Sequence, residues 1–131
     1  MTVFIIEDNK LLSLLFARMV QGLGHTVAGQ AISGEQAIRD VAATRPDMLI
    51  VDIQLAGALS GIEAVAEIRN HQSIPVIYAS ANTDLMAQEE QRNPSCAEFL
   101  AKPVSRPQLG GAIDQLAATC GTALTDGGKR G

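Results

Sequence analysis

Five short apolar runs of the sequence are candidates for buried strands, and four of them lead into side chains that could do chemistry. Those side chains are Glu7 and Asp8, Asp52, Ser80 and Lys102. Two carboxylates about 4 Å apart repel each other by roughly 4 kcal/mol at an effective dielectric near 20, so three acids in one place call for a divalent cation. An all-oxygen site suits Mg²⁺. A lysine and a hydroxyl suit the oxygens of a phosphoryl group, and a carboxylate beside Mg²⁺ can act as the nucleophile that forms an aspartyl phosphate.

The elements that must position these side chains can be predicted from apolar periodicity. Strands are expected at Val3–Ile6, Thr26–Ala31, Met48–Val51, Val76–Ala79 and Ala97–Ala101. Amphipathic stretches between them predict helices, of which the one at 83–93 is only weakly periodic. Capping-box sequences that begin at Ser33, Ser60 and Ser105 mark the starts of the second, third and last helices. The second helix is expected to end at Arg45, because a proline follows it.

Repeated strand–helix units predict an α/β fold, a doubly wound five-stranded parallel sheet with helices on both faces. The first, third and fourth runs are almost wholly apolar and belong in the middle of the sheet. The second and fifth carry Thr26, Gln30 and Glu98 and suit its edges. The expected strand order is therefore 2-1-3-4-5, which is flavodoxin-like. Such a sheet binds ligands at the carboxyl ends of its strands, near the point where the order reverses.

Length and composition limit the class of protein. A chain of 131 residues fits one domain, expected at 1–121, with a flexible, glycine-rich tail at 122–131. A net charge of −4 without a basic stretch argues against nucleic-acid binding. No apolar run approaches the roughly 20 residues that cross a bilayer, and the N-terminus does not resemble a signal peptide, so a soluble cytoplasmic protein is expected. Cys96 and Cys120 lie in unrelated segments without metal-type spacing and are expected to be reduced thiols, either buried or idle.

Four separated motifs together resemble the receiver domain of two-component response regulators. They are Glu7-Asp8, Asp52, Ser80-Ala81 and Lys102-Pro103, and the resemblance covers about residues 1–120. Within that family, the stretches DIQLAGALSGIEAV and FLAKP are most similar to the receiver half of PhyR-type general stress regulators. Those regulators also carry a sigma-factor-like domain. This sequence does not, so a stand-alone receiver is expected.

The resemblance implies a role for each matching residue. Asp52 would accept a phosphoryl group from a sensor histidine kinase or a histidine phosphotransfer protein. Asp8, Asp52 and the backbone carbonyl of Gln54 would hold Mg²⁺, with Glu7 acting through water. The phosphoryl oxygens would meet Lys102, Ser80 and the backbone N–H of Ala81, and the Lys102-Pro103 bond is often cis in the family. Phe99 stands at the position of the switch aromatic, where a plain core or edge phenylalanine is the alternative.

Two departures from the family pattern affect the loops. Ala56 replaces a common proline, and the loop to Gly61 is one residue longer than the commonest form. The segment 93–96, Asn-Pro-Ser-Cys, replaces the usual Gly-Ala pair before the fifth strand. The face around the fourth helix is the output surface in the family. A downstream protein partner is therefore expected but is not identified, and the chain is expected to be a monomer or a weak homodimer.

Two other functions are compatible with parts of the pattern. A Mg²⁺-dependent phosphatase with an aspartyl nucleophile would need a second acid two residues after the first. Gln54 stands there and cannot act as a general acid. The other alternative is a receiver-like module that docks onto partners without being phosphorylated. The intact acids, serine and lysine argue against it.

Overall fold

A parallel five-stranded sheet forms the centre of the computed structural model, which describes residues 1–121. Its strands are β1 (Thr2–Ile6), β2 (Thr26–Ala31), β3 (Met48–Asp52), β4 (Val76–Ser80) and β5 (Ala97–Ala101). The helices are α1 (Lys10–Gly22), α2 (Gly34–Thr44), α3 (Gly61–Arg69), α4 (Thr83–Gln91) and α5 (Arg106–Leu116), and α5 continues as a π-helix over Ala117–Gly121. The tail expected at 122–131 lies outside the described residues.

The strand order is β2-β1-β3-β4-β5, as the hydrophobicity of the runs predicted. Every residue of β3 and β4 is buried, whereas every residue of β5 is only partly buried and β2 has just one buried residue, Ala31. Charged and polar residues are tolerated at an edge strand because one side of it meets solvent. The doubly wound fold is therefore confirmed, together with the placement of its edges.

Two apolar cores lie on the two faces of the sheet, because successive side chains of a strand point to opposite faces. On one face, β1 contributes Val3 and Ile5 to a core shared with α1 and α5. On the other face, Phe4 and Ile6 join a core shared with α2 and α3. Helix α4 has no buried residue in its nine positions and touches that second core only at its partly buried apolar side chains. The weak periodicity of 83–93 thus corresponds to a real but loosely packed helix.

The helix ends follow the predicted signals with one exception. Ser60 and Ser105 each form a complete capping box, and Arg45 ends α2 in the left-handed region at φ 48°. The box expected at Ser33 is only half formed. The Ser33 side chain accepts from the Gln36 N–H, but the Gln36 side chain accepts from the N–H of Ile32 instead of that of Ser33. The prediction was therefore wrong for the reciprocal bond, because the chain before Ser33 offers a competing donor.

The expectation of separate, reduced cysteines was also wrong, since Cys96 and Cys120 are joined in a disulfide. Cys96 directly precedes β5, and Cys120 lies in the π-helical continuation of α5. A helix that follows a strand in this fold returns along the sheet, so its end comes back to the start of that strand. The Cα atoms of the two cysteines are 5.9 Å apart, a distance that suits a disulfide. Segments that are unrelated in sequence are thus neighbours in the fold.

The buried Tyr78 gives the fold a measurable pH dependence. It is the chain's one tyrosine, the chain has no tryptophan, and burial raises the pKa of Tyr78 to about 12. Since the folded state holds this proton more tightly than the unfolded state, stability should fall as pH rises from 10 to about 12, by up to about 3 kcal/mol. Tyrosinate absorbance should therefore appear near pH 12 in native buffer and near pH 10 in denaturant. Ionisation near pH 10 with intact circular dichroism would contradict this prediction.

Candidate functional site

The sequence-predicted residues meet at the carboxyl ends of the strands, beside the point where the strand order reverses. Glu7 and Asp8 follow β1, Asp52 ends β3, Ser80 ends β4 and Lys102 follows β5. Glu7, Asp8 and Asp52 each offer a carboxylate oxygen, and these oxygens all lie within 4.8 Å of one another. Glu7 and Asp52 are buried and Asp8 is half-buried. A cluster of three acids therefore exists at the site that the strand-end pattern indicated.

Asp52 is held in a fixed orientation by its surroundings. One carboxylate oxygen, Oδ1, accepts a hydrogen bond from the Gln54 N–H at 3.0 Å, and the other, Oδ2, lies 3.3 Å from the Lys102 ammonium.

The loop that follows Asp52 turns back sharply, because the N–H of Gly61 donates to the carbonyl of Ile53 at 2.9 Å. A Cβ atom at Gly61 would collide with the carbonyl oxygen of Asp52. Glycine is therefore required where α3 begins against the end of β3.

Lys102 bridges two of the three acids. Its Nζ lies 2.9 Å from Oε1 of Glu7 and 3.3 Å from Oδ2 of Asp52. Its backbone N–H donates to the carbonyl of Ser80 at 2.9 Å, which ties the β5–α5 loop to the end of β4. The Lys102-Pro103 peptide bond is cis, as it often is in the family that the motifs resemble.

The electrostatics of the site reflect burial and an excess of negative charge. Burial raises the pKa of Glu7, and its hydrogen bond to Lys102 offsets this only in part. For Lys102, burial acts to lower the pKa, but the hydrogen bond to Glu7 and the charge of Asp52 outweigh it and leave the pKa raised. The lysine is therefore firmly charged. One ammonium against three carboxylates leaves the site short of positive charge.

Ser80 and Phe99 lie on the neighbouring strands β4 and β5. Ser80 is completely buried, and its Oγ accepts a hydrogen bond from the N–H of Asn82 at 3.0 Å. The hydroxyl thus closes a short side-chain-to-backbone turn at the end of β4. Ala81, between Ser80 and Asn82 in the sequence, is exposed. Phe99 is half-buried on β5 and stacks on Tyr78, with 5.1 Å between the ring centroids. The Ser80 hydroxyl and the Phe99 ring thus belong to adjacent strands, the second of which is the edge strand β5.

The donor set fits a hard divalent cation. Three carboxylates with mutually close oxygens, and a shortage of positive charge, match the oxygen ligands that Mg²⁺ takes. Asp8 is held in place because its Oδ2 accepts from the N–H of Ala56 at 3.1 Å. Gln54 is exposed in the loop that follows Asp52.

Asp8→Asn is expected to have opposite effects with and without Mg²⁺. Without divalent ions, the free energy of unfolding should rise by about 1 kcal/mol, because one source of repulsion in the cluster is removed. Added MgCl₂ should stabilise the original chain and have much less effect on the variant. Urea unfolding with and without chelator measures both changes. The exposed Asp114→Asn on α5 is the matched control and should respond to Mg²⁺ as the original chain does.

Two contributors to the site were not singled out from the sequence. Gly61 allows α3 to begin against the carbonyl of Asp52, and Tyr78 forms the surface on which Phe99 stacks. A signal for the first was present, since a glycine inside a capping box, at the end of the loop that follows an acid-bearing strand, suggests close backbone approach. The second had no local signal, because the pairing of Tyr78 with Phe99 depends on the register between β4 and β5.

Fold and site together define a doubly wound α/β domain with an acidic, lysine-bearing site at its topological switch point. The chain belongs to the response regulator receiver domain family, whose family model matches residues 3–114. The family membership that the four sequence motifs predicted is thereby confirmed. Within residues 1–121, none of the helices has the length and apolar character that crossing a membrane requires.

Several relatives share the domain. The phyllosphere-induced regulator PhyR of Methylorubrum extorquens is 32% identical over 114 residues, which are 86% of this chain and 42% of that protein. The polar-differentiation response regulator DivK of Brucella ovis is 30% identical over 82% of this chain and 89% of its own length. The PhyR receiver domain of Erythrobacter litoralis has a TM-score of 0.80 at 33% identity, with 89% of each chain covered. The chain thus spans less than half of the Methylorubrum PhyR.

Proposed function

We propose that the chain is a phosphoacceptor of a two-component phosphorelay, in which Asp52 receives a phosphoryl group from a sensor histidine kinase or a histidine phosphotransfer protein. The observation that carries the proposal is the meeting of Asp52 with Lys102, Glu7 and Asp8 at the switch point of the sheet. A lone acid at a strand end would be an ordinary loop residue. Asp52 instead is buried, oriented by the Gln54 N–H and paired with a charged lysine.

In the proposed reaction, a carboxylate oxygen of Asp52 attacks the phosphorus of a phosphohistidine. The P–N bond to the donor imidazole breaks, and the bond to Asp52 forms an aspartyl phosphate. Lys102 and the backbone N–H of Ala81 receive the oxygens of the transferred group. Asp8, Asp52 and the carbonyl of Gln54 would hold Mg²⁺, with Glu7 acting through water, and the ion would neutralise the charge of the phosphoryl group.

Phosphorylation would then bias the face formed by α4, β5 and α5. The new group adds about two negative charges beside Lys102. Ser80 would leave the Asn82 N–H and donate to a phosphoryl oxygen, and Phe99 would move toward the space that the hydroxyl vacates. This is a charge-driven change in a two-state element. Helix α4 suits such a role because none of its residues is buried.

The donor protein would approach over α1. Leu11, Leu14 and Leu15 are exposed in the first turns of this helix, and Asp8 lies just before it. Exposed leucines of this kind give a partner an apolar contact next to the acceptor.

We further propose that the protein is a cytoplasmic monomer or weak homodimer. It acts through an unidentified downstream protein and has no enzymatic activity on other substrates.

The competing functions differ from this one at identifiable points. A phosphatase would need a proton donor near Asp52, and Gln54 has no acidic proton to give. A docking module would not need Lys102 at 2.9 Å from a buried glutamate.

The direct test is phosphorylation of the full chain with acetyl phosphate, with and without a chelator of Mg²⁺. The expected result is one acid-labile phosphoryl group per chain in Mg²⁺ and almost none with the chelator, by intact mass. Turnover of a generic phosphate ester would instead favour the phosphatase. An absence of any phosphoryl group, with acetyl phosphate and with a panel of phosphorylated kinases, would leave the docking module as the function.

A further inference from the structure

The disulfide partners Cys96 and Cys120 lie at the two ends of the last strand–helix unit. Cys96 is the residue directly before β5, and Cys120 lies in the π-helical turn after α5. They are 24 positions apart in the sequence, so the bond closes a loop that contains all of β5 and α5. Phe99 and Lys102 are both inside this loop.

Unusual backbone geometry occurs at both cysteines. Cys96 has a φ of 51°, in the left-handed region that side chains rarely adopt. Cys120 is carried by a π-helix, a rare form that often occurs at functional sites. Leu116 is the last fully buried residue of α5, and in the turn beyond it Cys120 packs against the same core while only partly buried.

The backbone of Cys96 is fixed independently of its sulfur. Its carbonyl accepts from the Val76 N–H at 3.0 Å and from the Arg69 guanidinium at 3.0 Å. The same guanidinium also donates to the carbonyl of Ile74, at 2.9 and 3.1 Å. Because these bonds do not involve the thiol, Cys96 keeps its position when the disulfide is reduced. Reduction then removes the covalent link to Cys120 and its turn.

Both cysteines can be reached from solvent. They are half-buried, and both line an open cleft of about 480 Å³ that Arg69 also lines. A cleft of this size admits a small thiol or disulfide compound. The positive charge of Arg69 favours an anionic one, such as glutathione.

We propose that Cys96 and Cys120 are a reversible redox clasp that fastens the end of α5 to the start of β5, and that it works independently of phosphorylation. One cysteine thiolate attacks oxidised glutathione, which releases a glutathione thiolate and leaves a mixed disulfide. The second cysteine thiolate attacks the protein sulfur of that mixed disulfide and releases the second glutathione. The two protein thiols thus lose two electrons and two protons, and oxidised glutathione becomes two thiols.

The clasp acts on the end of α5 and on the start of β5, the strand that carries Phe99 on its opposite face. When it is closed, the π-helical turn cannot separate from β5, so local opening of that region is suppressed. When it is open, the turn keeps its own hydrogen bonds, such as the one from Thr119 Oγ1 to the Gln115 carbonyl, but has no covalent link to the start of β5. Oxidation would therefore rigidify an edge of the sheet without touching the acidic site.

The test begins with the full chain equilibrated at graded ratios of reduced to oxidised glutathione, then acid-quenched and alkylated. One transition is expected, to a species that lacks two hydrogens and takes up no alkyl group. Proteolysis after Glu98 then separates the two cysteines and shows the cross-link. Trypsin does not separate them, because Lys102 and Arg106 are each followed by proline.

Hydrogen exchange provides the second readout. Amides of residues 117–120 should exchange about ten-fold or more slowly in the oxidised chain than in the reduced chain. The double variant Cys96→Ser with Cys120→Ser should show no dependence on the glutathione ratio. Accumulation of a mixed disulfide with glutathione, or equal exchange in the two redox states, would overturn the clasp. Neither result depends on whether Asp52 is phosphorylated.

Discussion

Asp52→Asn is expected to abolish phosphoryl transfer to the chain. The asparagine amide cannot act as the nucleophile, although it is almost the same size and can still accept from the Gln54 N–H. The variant should take up no acid-labile phosphoryl group from acetyl phosphate in Mg²⁺, where the original chain takes up one. Intact mass spectrometry under neutral and acid conditions makes the comparison.

Two controls make the Asp52→Asn result specific. Asp114→Asn changes an exposed acid of α5 and should leave phosphorylation unchanged. Circular dichroism of Asp52→Asn should match that of the original chain, and its stability should not fall, because a member of a repelling cluster is removed. Undiminished labelling of the variant would mean that another residue is the acceptor.

Lys102→Met is expected to have the largest effect on stability. Removal of one partner from a buried ion pair typically costs about 3 to 5 kcal/mol, because the other charge is left uncompensated. Here two carboxylates lose their ammonium, and the side chain of Glu7 is only 2% exposed. We expect a loss of about 3 kcal/mol at neutral pH in urea unfolding. Lys10→Met, at an exposed lysine that begins α1, should change stability little.

A second substitution and a change of pH identify the cause of that loss. Glu7→Gln in the Lys102→Met background should restore part of the stability, since the buried charge is removed. Burial raises the pKa of Glu7, so the folded state binds this proton more tightly than the unfolded state. Stability linked to Glu7 is therefore greatest at low pH and falls as pH rises through its folded pKa, more steeply without Lys102. A loss that is the same at all pH values would point to packing instead of charge.

Much of the site could be predicted because apolar runs locate the strands, and the fold brings the strand ends together. The residues after Ile6, Val51, Ala79 and Ala101 were therefore expected to be neighbours. Their contacts could not be predicted in the same way. The pairing of Lys102 with Glu7, more closely than with Asp52, depends on side-chain positions that no periodicity encodes.

The cysteine pair marks a different limit. Each cysteine was considered within its own segment, and the spacing did not match a metal site. A separation of 24 residues, however, is one strand plus its returning helix in this fold. The contact therefore follows from topology once the fold is known. The half-formed cap at Ser33 could not be predicted from topology. It depends on one local detail, the Ile32 N–H, which donates to the Gln36 side chain in place of the Ser33 N–H.

The close approach of Gly61 to the carbonyl of Asp52 has a consequence for how this domain tolerates change. The loop between them is pinned at its base by the bond from the Gly61 N–H to Ile53. An added residue is best accommodated at the exposed apex positions Gly57 and Ala58, where Gly57 has a φ of 105°, because the preceding Ala56 N–H is bonded to Asp8. Insertions at that apex should leave Asp52 in register. The apex is thus a suitable place to graft a foreign peptide or an affinity tag near Asp52.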